Sequence, residues 1–477
     1  MDLLVSEDQD HPREACAVLG IYATGERVAA VAYFALFALQ HRGQESSGIA
    51  VADGKALECY KEMGLVSQVF SPEILERLEG HIAVGHNRYS TTGSSRIDNA
   101  QPILAKSHLG PLALAHNGNL TNHDGIRCQL EQRGIAFSST SDSEVIAKLF
   151  ALAPGDTPDE KIKNTMNQLA GAYSVVLSTR DTLIAFRDPF GVRPLCIGEL
   201  SDNGTRGWVI ASESCALGTI GARFVREVKP GEAIIIDENG FRAFQAREAP
   251  GRHALCIFEY IYFARPDSII NGKSIYWARY NMGRQLAREH PVAADGVMAI
   301  PDSSVPAAIG FAAESRLPFC EGLIKNRYIA RTFIQPAQTM RKLGIKLKFN
   351  PLRENIAGHK LIVVDDSIVR GNTTKSIVAL LREVGAKEVH VRITSPPMIK
   401  PCYLGVDTAR ENELIASHNT VEQIRQHIQA DSLGYLTLEG LLSAIDFPRE
   451  DFCTGCFNGN YPGSGISERH EACPIYV

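Results

Sequence analysis

Residues 361–374 read LIVVDDSIVRGNTT, and this stretch restricts the possible fold more than any other. Leu361, Ile362, Val363 and Val364 form an unbroken apolar run, the pattern of a parallel strand covered on both faces. Asp365 and Asp366 follow where that strand would end. Ser367, Arg370, Gly371, Asn372, Thr373 and Thr374 then lead into KSIVALLREVGA, an amphipathic helical pattern. In open α/β sheets, ligands sit beyond the carboxyl ends of the strands. A Gly- and hydroxyl-rich loop that opens a helix offers backbone N–H groups and a positive dipole end to a phosphate. Two carboxylates beside it accept hydrogen bonds from vicinal sugar hydroxyls and suit Mg²⁺, which prefers oxygen ligands. The plainer alternative is a strand-to-turn junction where Asp-Asp only caps the helix.

The order of strand, acid pair, phosphate loop and helix favours a site. The segment resembles the phosphoribosyl-pyrophosphate (PRPP) loop of type I phosphoribosyltransferases. That resemblance implies that Asp365 and Asp366 face the ribose hydroxyls while residues 367–374 wrap the 5′-phosphate. Asn372 stands where many relatives carry Thr, but its backbone N–H remains available to phosphate.

A chain of 477 residues is too long for one core and implies two or three domains. A net charge of −5 gives no support for nucleic-acid binding, and no apolar run approaches the ~20 residues of a membrane-spanning helix. The first fifteen residues carry five acids and one Arg without an apolar centre, so they do not form a secretory signal. A cytoplasmic location is therefore expected. The eleven cysteines are then expected as buried hydrophobes, nucleophiles or metal ligands rather than disulfides.

Cys16 opens the β-rich run CAVLGIYA, where a lone thiol is ordinarily a small buried residue. Its company changes that reading. LQHRGQESSGIA (residues 39–50), GHNRYSTTG (85–93), HNGNL (116–120) and SDSEVI (141–146) follow in order. Together they resemble the N-terminal nucleophile (Ntn) glutaminase domain of class II glutamine amidotransferases. The chemistry explains the residue types: a thiolate attacks an amide carbonyl and donors stabilise the oxyanion. With residues 1–15 removed as a propeptide, the α-amine of Cys16, with a reference pKa of ~7.7–8.0, can serve as general base. The resemblance places the oxyanion hole at the Asn117 side chain and the Gly118 backbone N–H. It gives Arg88 to the α-carboxylate of glutamine and Asp142 to the α-ammonium. Two local alternatives stand beside these roles: Asn-Gly is a common hairpin turn, and Asp142 can cap a helix. RDPFGVRPL (187–195) and Ser212–Glu213 also match the family and read as structural support.

In the second half, VMAIPDSSVPAAIGFA (297–312) is a strand, a polar turn and a helix, and EVHVRITSPPM supplies another strand. This alternation argues for a mostly parallel sheet. Residues 331–348, rich in Lys and Arg, are either a solvated face or a loop that closes over pyrophosphate. Resemblance adds Ser304 to the Mg²⁺ environment of Asp365 and Asp366, and brings Lys325 toward the pyrophosphate. Cys453 and Cys456 form a C-x-x-C pair, and spacing alone leaves zinc, redox exchange or no role open. With Cys256 and Cys402 they resemble the [4Fe–4S] ligands of Bacillus-type glutamine PRPP amidotransferases. Such a cluster is expected to fasten the C-terminal tail to the start of the second domain.

Both halves together resemble amidophosphoribosyltransferases over nearly the whole chain. The fold this implies is α/β and α+β: a propeptide (1–15), an Ntn-hydrolase αββα sandwich (16–245) and a type I phosphoribosyltransferase domain (255–477). It also implies feedback inhibition by purine nucleotides, whose phosphate would compete for residues 367–374, and a homotetramer. A sister amidotransferase acting on a sugar phosphate or aspartate would lack VVDDSIVRGNTT. A PRPP-sensing regulator would need none of Cys16, Arg88, Asn117, Gly118 and Asp142.

Overall fold

The structure, a computed structural model, describes residues 16–89, 96–202, 205–326, 349–408 and 410–463. The expected propeptide, the cationic stretch 331–348 and Cys473 lie outside the described residues.

In chain order the strands of the first half are β1 (Ala17–Ala23), β2 (Ser46–Ala52), β3 (Leu57–Met63), β4 (Ile82–Arg88), β5 (Ile103–Ser107), β6 (Gly110–Leu120), β7 (Gly171–Ser178), β8 (Leu183–Arg187), β9 (Cys196–Asp202), β10 (Thr205–Ala211), β11 (Arg223–Glu227), β12 (Glu232–Asp237) and β13 (Gly240–Gln245). They form two antiparallel sheets, ordered β11-β9-β10-β1-β4-β2-β3 and β13-β12-β8-β7-β6-β5. Strand alternation sends Val18, Val84 and Ile210 of the first sheet against Ala115, Val176 and Ile234 of the second. Gly20 permits that approach, because a Cβ there would lie 2.6 Å from Val176 Cγ1. The opposite face of the first sheet packs on the helix Val28–Ala38, and that of the second on Asp142–Leu152 and Pro158–Met166. The layers are therefore αββα, as expected. Burying each Val, Leu or Ile side chain contributes about 1.5–3 kcal/mol.

The second half is built on four parallel strands, in the spatial order Gly296–Ala299, Lys360–Asp365, Glu388–Ile393 and Ser432–Tyr435. Ile362 and Val364 pack toward the helices Ile275–Glu289 and Val305–Ser315. Leu361 and Val363 pack toward Asn372–Val384 and Val421–Ile428. The unbroken apolar run thus fits a strand with helices on both faces. Ala172 and Val192 of the first half belong to the same core as Ile257, Ile362 and Phe452, so the halves share one apolar interior. Among the described residues no helix is long and apolar enough to cross a membrane. Among the described residues nine cysteines are free thiols.

Candidate active sites

Cys16 immediately precedes β1, at the end of the strand where β4 delivers Arg88 and Tyr89. A pocket is lined by Cys16, Arg88, Tyr89, Gln101, His116, Gly118, Ser141, Asp142 and Ser143. Four of the five residues expected in the glutaminase site therefore meet there. The fifth, Asn117, is buried beside Gly118 but does not line the pocket. Its amide nitrogen and oxygen have no hydrogen-bond partner among the described residues. Asn117 and Gly118 lie inside β6, paired with Ser174 and Tyr173 of β7, so they are not a hairpin turn. Asp142 is not the cap of its helix either; Ser141 is, accepting from Ser143 N at 3.2 Å.

The Cys16 thiol donates to Tyr89 O at 3.3 Å, and Tyr89 N donates back to Cys16 Sγ at 3.5 Å. Burial pushes the thiol pKa up, against the lowering effects of the Tyr89 contact and the Arg88 charge. Arg88 itself donates to Glu45 Oε2 at 3.2 Å. Asp142 Oδ2 accepts from Leu120 N at 3.0 Å, which ties the helix start to the end of β6. His116, Gln101 and Ser143 form a second ring: His116 N donates to Gln101 Oε1 at 2.7 Å, and Gln101 Nε2 to Ser143 Oγ at 2.9 Å. Burial holds His116 below its ordinary pKa. Sequence reasoning assigned no part to these three residues. Their nearness in sequence to Asn117 and Asp142 was the available signal for two of them.

Behind Cys16 lies a buried ionic network. Arg42 Nε donates to Cys16 O at 3.4 Å, while its terminal nitrogens reach Glu213 at 2.5 Å and Glu259 at 2.8 and 2.9 Å. Glu213 also binds His41 at 2.8 Å and Ser268 Oγ at 2.7 Å. Burial alone would raise the Glu213 pKa, but His41 and Arg42 overcome it and hold the carboxyl well below the usual range. Ser212 Oγ accepts from Val18 N at 2.9 Å. Ser212 and Glu213 thus support β1 and the Arg42 contact to Cys16, and Glu259 carries that support into the second half.

The second site lies at the carboxyl ends of the parallel strands. The Lys360–Asp365 strand ends at the first acid, and Gly371, with φ +83°, starts the helix Asn372–Val384. Ser304 Oγ donates to Asp365 Oδ1 at 3.2 Å, Ser303 Oγ to Asp366 Oδ2 at 2.6 Å, and Ser367 Oγ to Asp366 Oδ1 at 2.8 Å. Asp365, Asp366, Ser367 and Thr374 are buried, whereas Asn372 is exposed at the helix start. Lys325 Nζ donates to Asp302 Oδ2 at 2.7 Å, in the turn after the neighbouring strand. The Arg370 guanidinium binds Glu413 at 2.8 Å. The acids are hydrogen-bonded within the sheet end rather than acting as caps, with Ser304 on Asp365 and Ser303 and Ser367 on Asp366.

The four remaining cysteines also meet. Leu255–Cys256 pairs in parallel with Phe452–Cys453, placing Cys256 opposite Cys453. Cys456 O accepts from Ile399 N at 2.9 Å and Lys400 N at 3.1 Å, just before Cys402. Burial raises the Cys256 thiol to about 12 and pushes the Cys402, Cys453 and Cys456 thiols up as well. Among the described residues, no three or more His, Cys, Asp or Glu side chains are grouped to hold a single metal ion. The four free thiols border one apolar core.

A family model described as a glutamine amidotransferase domain matches residues 86–219, and one described as a phosphoribosyl transferase domain matches residues 280–395. The chain is 50% identical over 458 residues to the amidophosphoribosyltransferase of Synechococcus elongatus, covering 96% of this chain and 93% of that protein. It is 49% identical to the amidophosphoribosyltransferase of Archaeoglobus fulgidus, covering 96% of this chain and 100% of that one. Among solved structures it matches the glutamine PRPP amidotransferase from B. subtilis complexed with ADP and GMP. That match has a TM-score of 0.88 and 45% identity over 94% of this chain and 97% of the other. On the strength of both halves, the chain belongs to the amidophosphoribosyltransferase family, the glutamine-dependent transferases that carry out the first step of purine biosynthesis.

Proposed function

We propose that Cys16, freed by removal of residues 1–15, is the nucleophile that takes ammonia from glutamine. The observation that carries this reading is the single pocket shared by Cys16, Arg88, Gly118 and Asp142. The α-amine of Cys16 accepts the thiol proton, and Sγ attacks the carboxamide carbon. The Gly118 N–H and the Asn117 amide donate to the resulting oxyanion. Collapse expels ammonia, which carries the transferred proton away, and water then cleaves the thioester to glutamate. Arg88 and Asp142 bind the two ends of the amino acid backbone, so only a free α-amino acid fits both.

Ammonia then attacks C1 of PRPP as the C1–O bond breaks, giving 5-phosphoribosylamine and pyrophosphate. In this reading Asp365 and Asp366 orient the ribose hydroxyls, and the backbone of residues 367–374 with Thr373 and Thr374 holds the 5′-phosphate. Lys325 meets the pyrophosphate. Ser304, Asp365 and Asp366 would hold Mg²⁺, which when bound offsets charge on the leaving group. Cys256, Cys402, Cys453 and Cys456 would hold a [4Fe–4S] cluster that fastens residues 452–458 to the start of a domain spanning 255–477, after a glutaminase domain of 16–245. Inhibitory purine nucleotides would place a phosphate in the same cradle as PRPP, in a homotetramer in the cytoplasm.

Intact mass and N-terminal sequencing of anaerobically purified protein, with iron and sulfide assayed on the same sample, test this. A chain starting at Cys16 with about four irons supports nucleophile and cluster together. A chain starting at Met1 with full glutaminase activity contradicts the first, and zinc in place of iron the second.

A further inference from the structure

The Cα of Gly118 and the peptide that follows it are closely approached by a loop from the other half of the molecule. The sheet of Gly118 also lies against it: a Cβ on Gly118 would sit 2.0 Å from Ala172 O. Opposite stands Gly405, where a Cβ would sit 2.8 Å from the Gly118 carbonyl carbon, 2.9 Å from its Cα and 3.1 Å from its oxygen. Gly405 has φ +101° and Gly118 φ +148°, conformations that L side chains rarely adopt. One residue along, Asn119 Nδ2 donates to Tyr403 O at 2.9 Å. Leu404 and Val406 anchor this loop, 2% and 5% exposed, in the core that also contains Ala172.

We propose that residues 403–405 are a positioning element for the oxyanion hole, setting the direction of the Gly118 N–H from the phosphoribosyltransferase half. The proposal rests on the assignment of Gly118 as an oxyanion donor. A glycine peptide turns more freely than any other, and an oxyanion donor must be held to within about 0.5 Å to act in the transition state. Gly405 supplies a wall against the Gly118 Cα, the atom to which the N–H is bonded, and against the carbonyl that follows, while the Asn119–Tyr403 bond fixes the distance between strand and loop. Residues 403–405 do not line the pocket at Cys16, so their effect belongs in kcat. It does not depend on what the four thiols bind.

The test compares Gly405→Ala, Asn119→Ala and Asn117→Ala in the full-length enzyme. Glutamine hydrolysis and ammonia-driven phosphoribosylamine synthesis are measured on each. Gly405→Ala is expected to lower glutaminase kcat about 10- to 100-fold, a share of the ~10²–10³ that loss of an oxyanion donor costs. The glutamine KM should stay within about twofold, with ammonia-driven synthesis retained, as for an interaction made only in the transition state. Asn119→Ala, which adds no bulk, should lower kcat by roughly 3- to 10-fold with the same split. Wild-type glutaminase kcat in both variants, alongside a severe loss in Asn117→Ala, overturns the proposal and leaves the oxyanion assignment standing. If Gly405→Ala loses both activities, Asn119→Ala decides, and unchanged kcat there overturns the proposal. Full glutaminase activity in Asn117→Ala overturns the oxyanion assignment itself, and the proposal with it.

Discussion

The pocket at Cys16 is assembled from five separated segments, around residues 16, 88, 101, 116–118 and 141–143. The cradle after the Lys360–Asp365 strand is almost one continuous piece of chain, residues 365–374, with Ser303 and Ser304 added from the next strand's turn. A scattered site inherits its geometry from everything that holds the segments apart, including Arg42, Glu213 and Glu259 behind the nucleophile. A continuous site is set by its own strand, turn and helix. The first should therefore be sensitive to changes far from the chemistry, and the second mainly to changes within it.

The sharpest separation comes from Cys16→Ala. It should abolish glutamine-driven synthesis by at least about 10³-fold while ammonia-driven synthesis continues, as loss of a nucleophile requires. Pyrophosphate release with each nitrogen source measures both. Next comes Asp366→Asn, in the site that both nitrogen sources share. Both activities should fall together, by about 10²-fold, the scale of a lost charge-stabilising group. A loss confined to glutamine would break the comparison.

Arg42→Met probes the scaffold of the scattered site. It leaves Glu213 and Glu259 buried without their guanidinium, and removing one partner of such a pair costs about 3–5 kcal/mol. Urea unfolding followed by fluorescence reads the change. The carboxyl of Glu213 is held below its unfolded value, so it contributes stability above about pH 4.3 that drains as pH falls toward its folded pKa. That acid-side drain should shrink in Arg42→Met. A smaller effect concerns pH and rate. Because the α-amine must be neutral to accept a proton, kcat/KM for glutamine should rise to a plateau with a midpoint near ~7.7–8.0. At fixed free ammonia, ammonia-driven synthesis should not follow that curve. The smallest effect is expected for Arg370→Ala. Its guanidinium binds the part-exposed Glu413, so the KM for PRPP should rise less than about threefold, in keeping with the ~0–1 kcal/mol of exposed pairs.

The same contrast governs what was legible in the sequence. The run from Leu361 to Val364, the acid pair and the glycine before the helix spell out strand, turn and helix locally, so physical reading alone found those elements. Nothing local joins Cys16 to Asp142; their meeting depends on antiparallel registers over more than a hundred residues, and only the ordered motifs of the family pointed to it. Asn-Gly reads locally as a turn, yet residues 117 and 118 sit inside β6, because strand pairing with β7 outweighs the local preference. Arg42, Glu213 and Glu259 were not legible as a unit. Each is an ordinary surface residue by type, and their burial follows from how the two halves close on each other. The guanidinium of Arg370, a residue of the same loop, binds Glu413, a partner remote in sequence that no local pattern announces.

The most direct test of a chain with two separable sites is covalent. Purified enzyme is treated with a chloroketone analogue of glutamine, weighed intact, and assayed with each nitrogen source. The account predicts one adduct per chain, on Cys16 at the N-terminus, with glutamine-driven synthesis abolished and ammonia-driven synthesis intact. An adduct on another cysteine, or equal loss of both activities from modification of Cys16 alone, would contradict it.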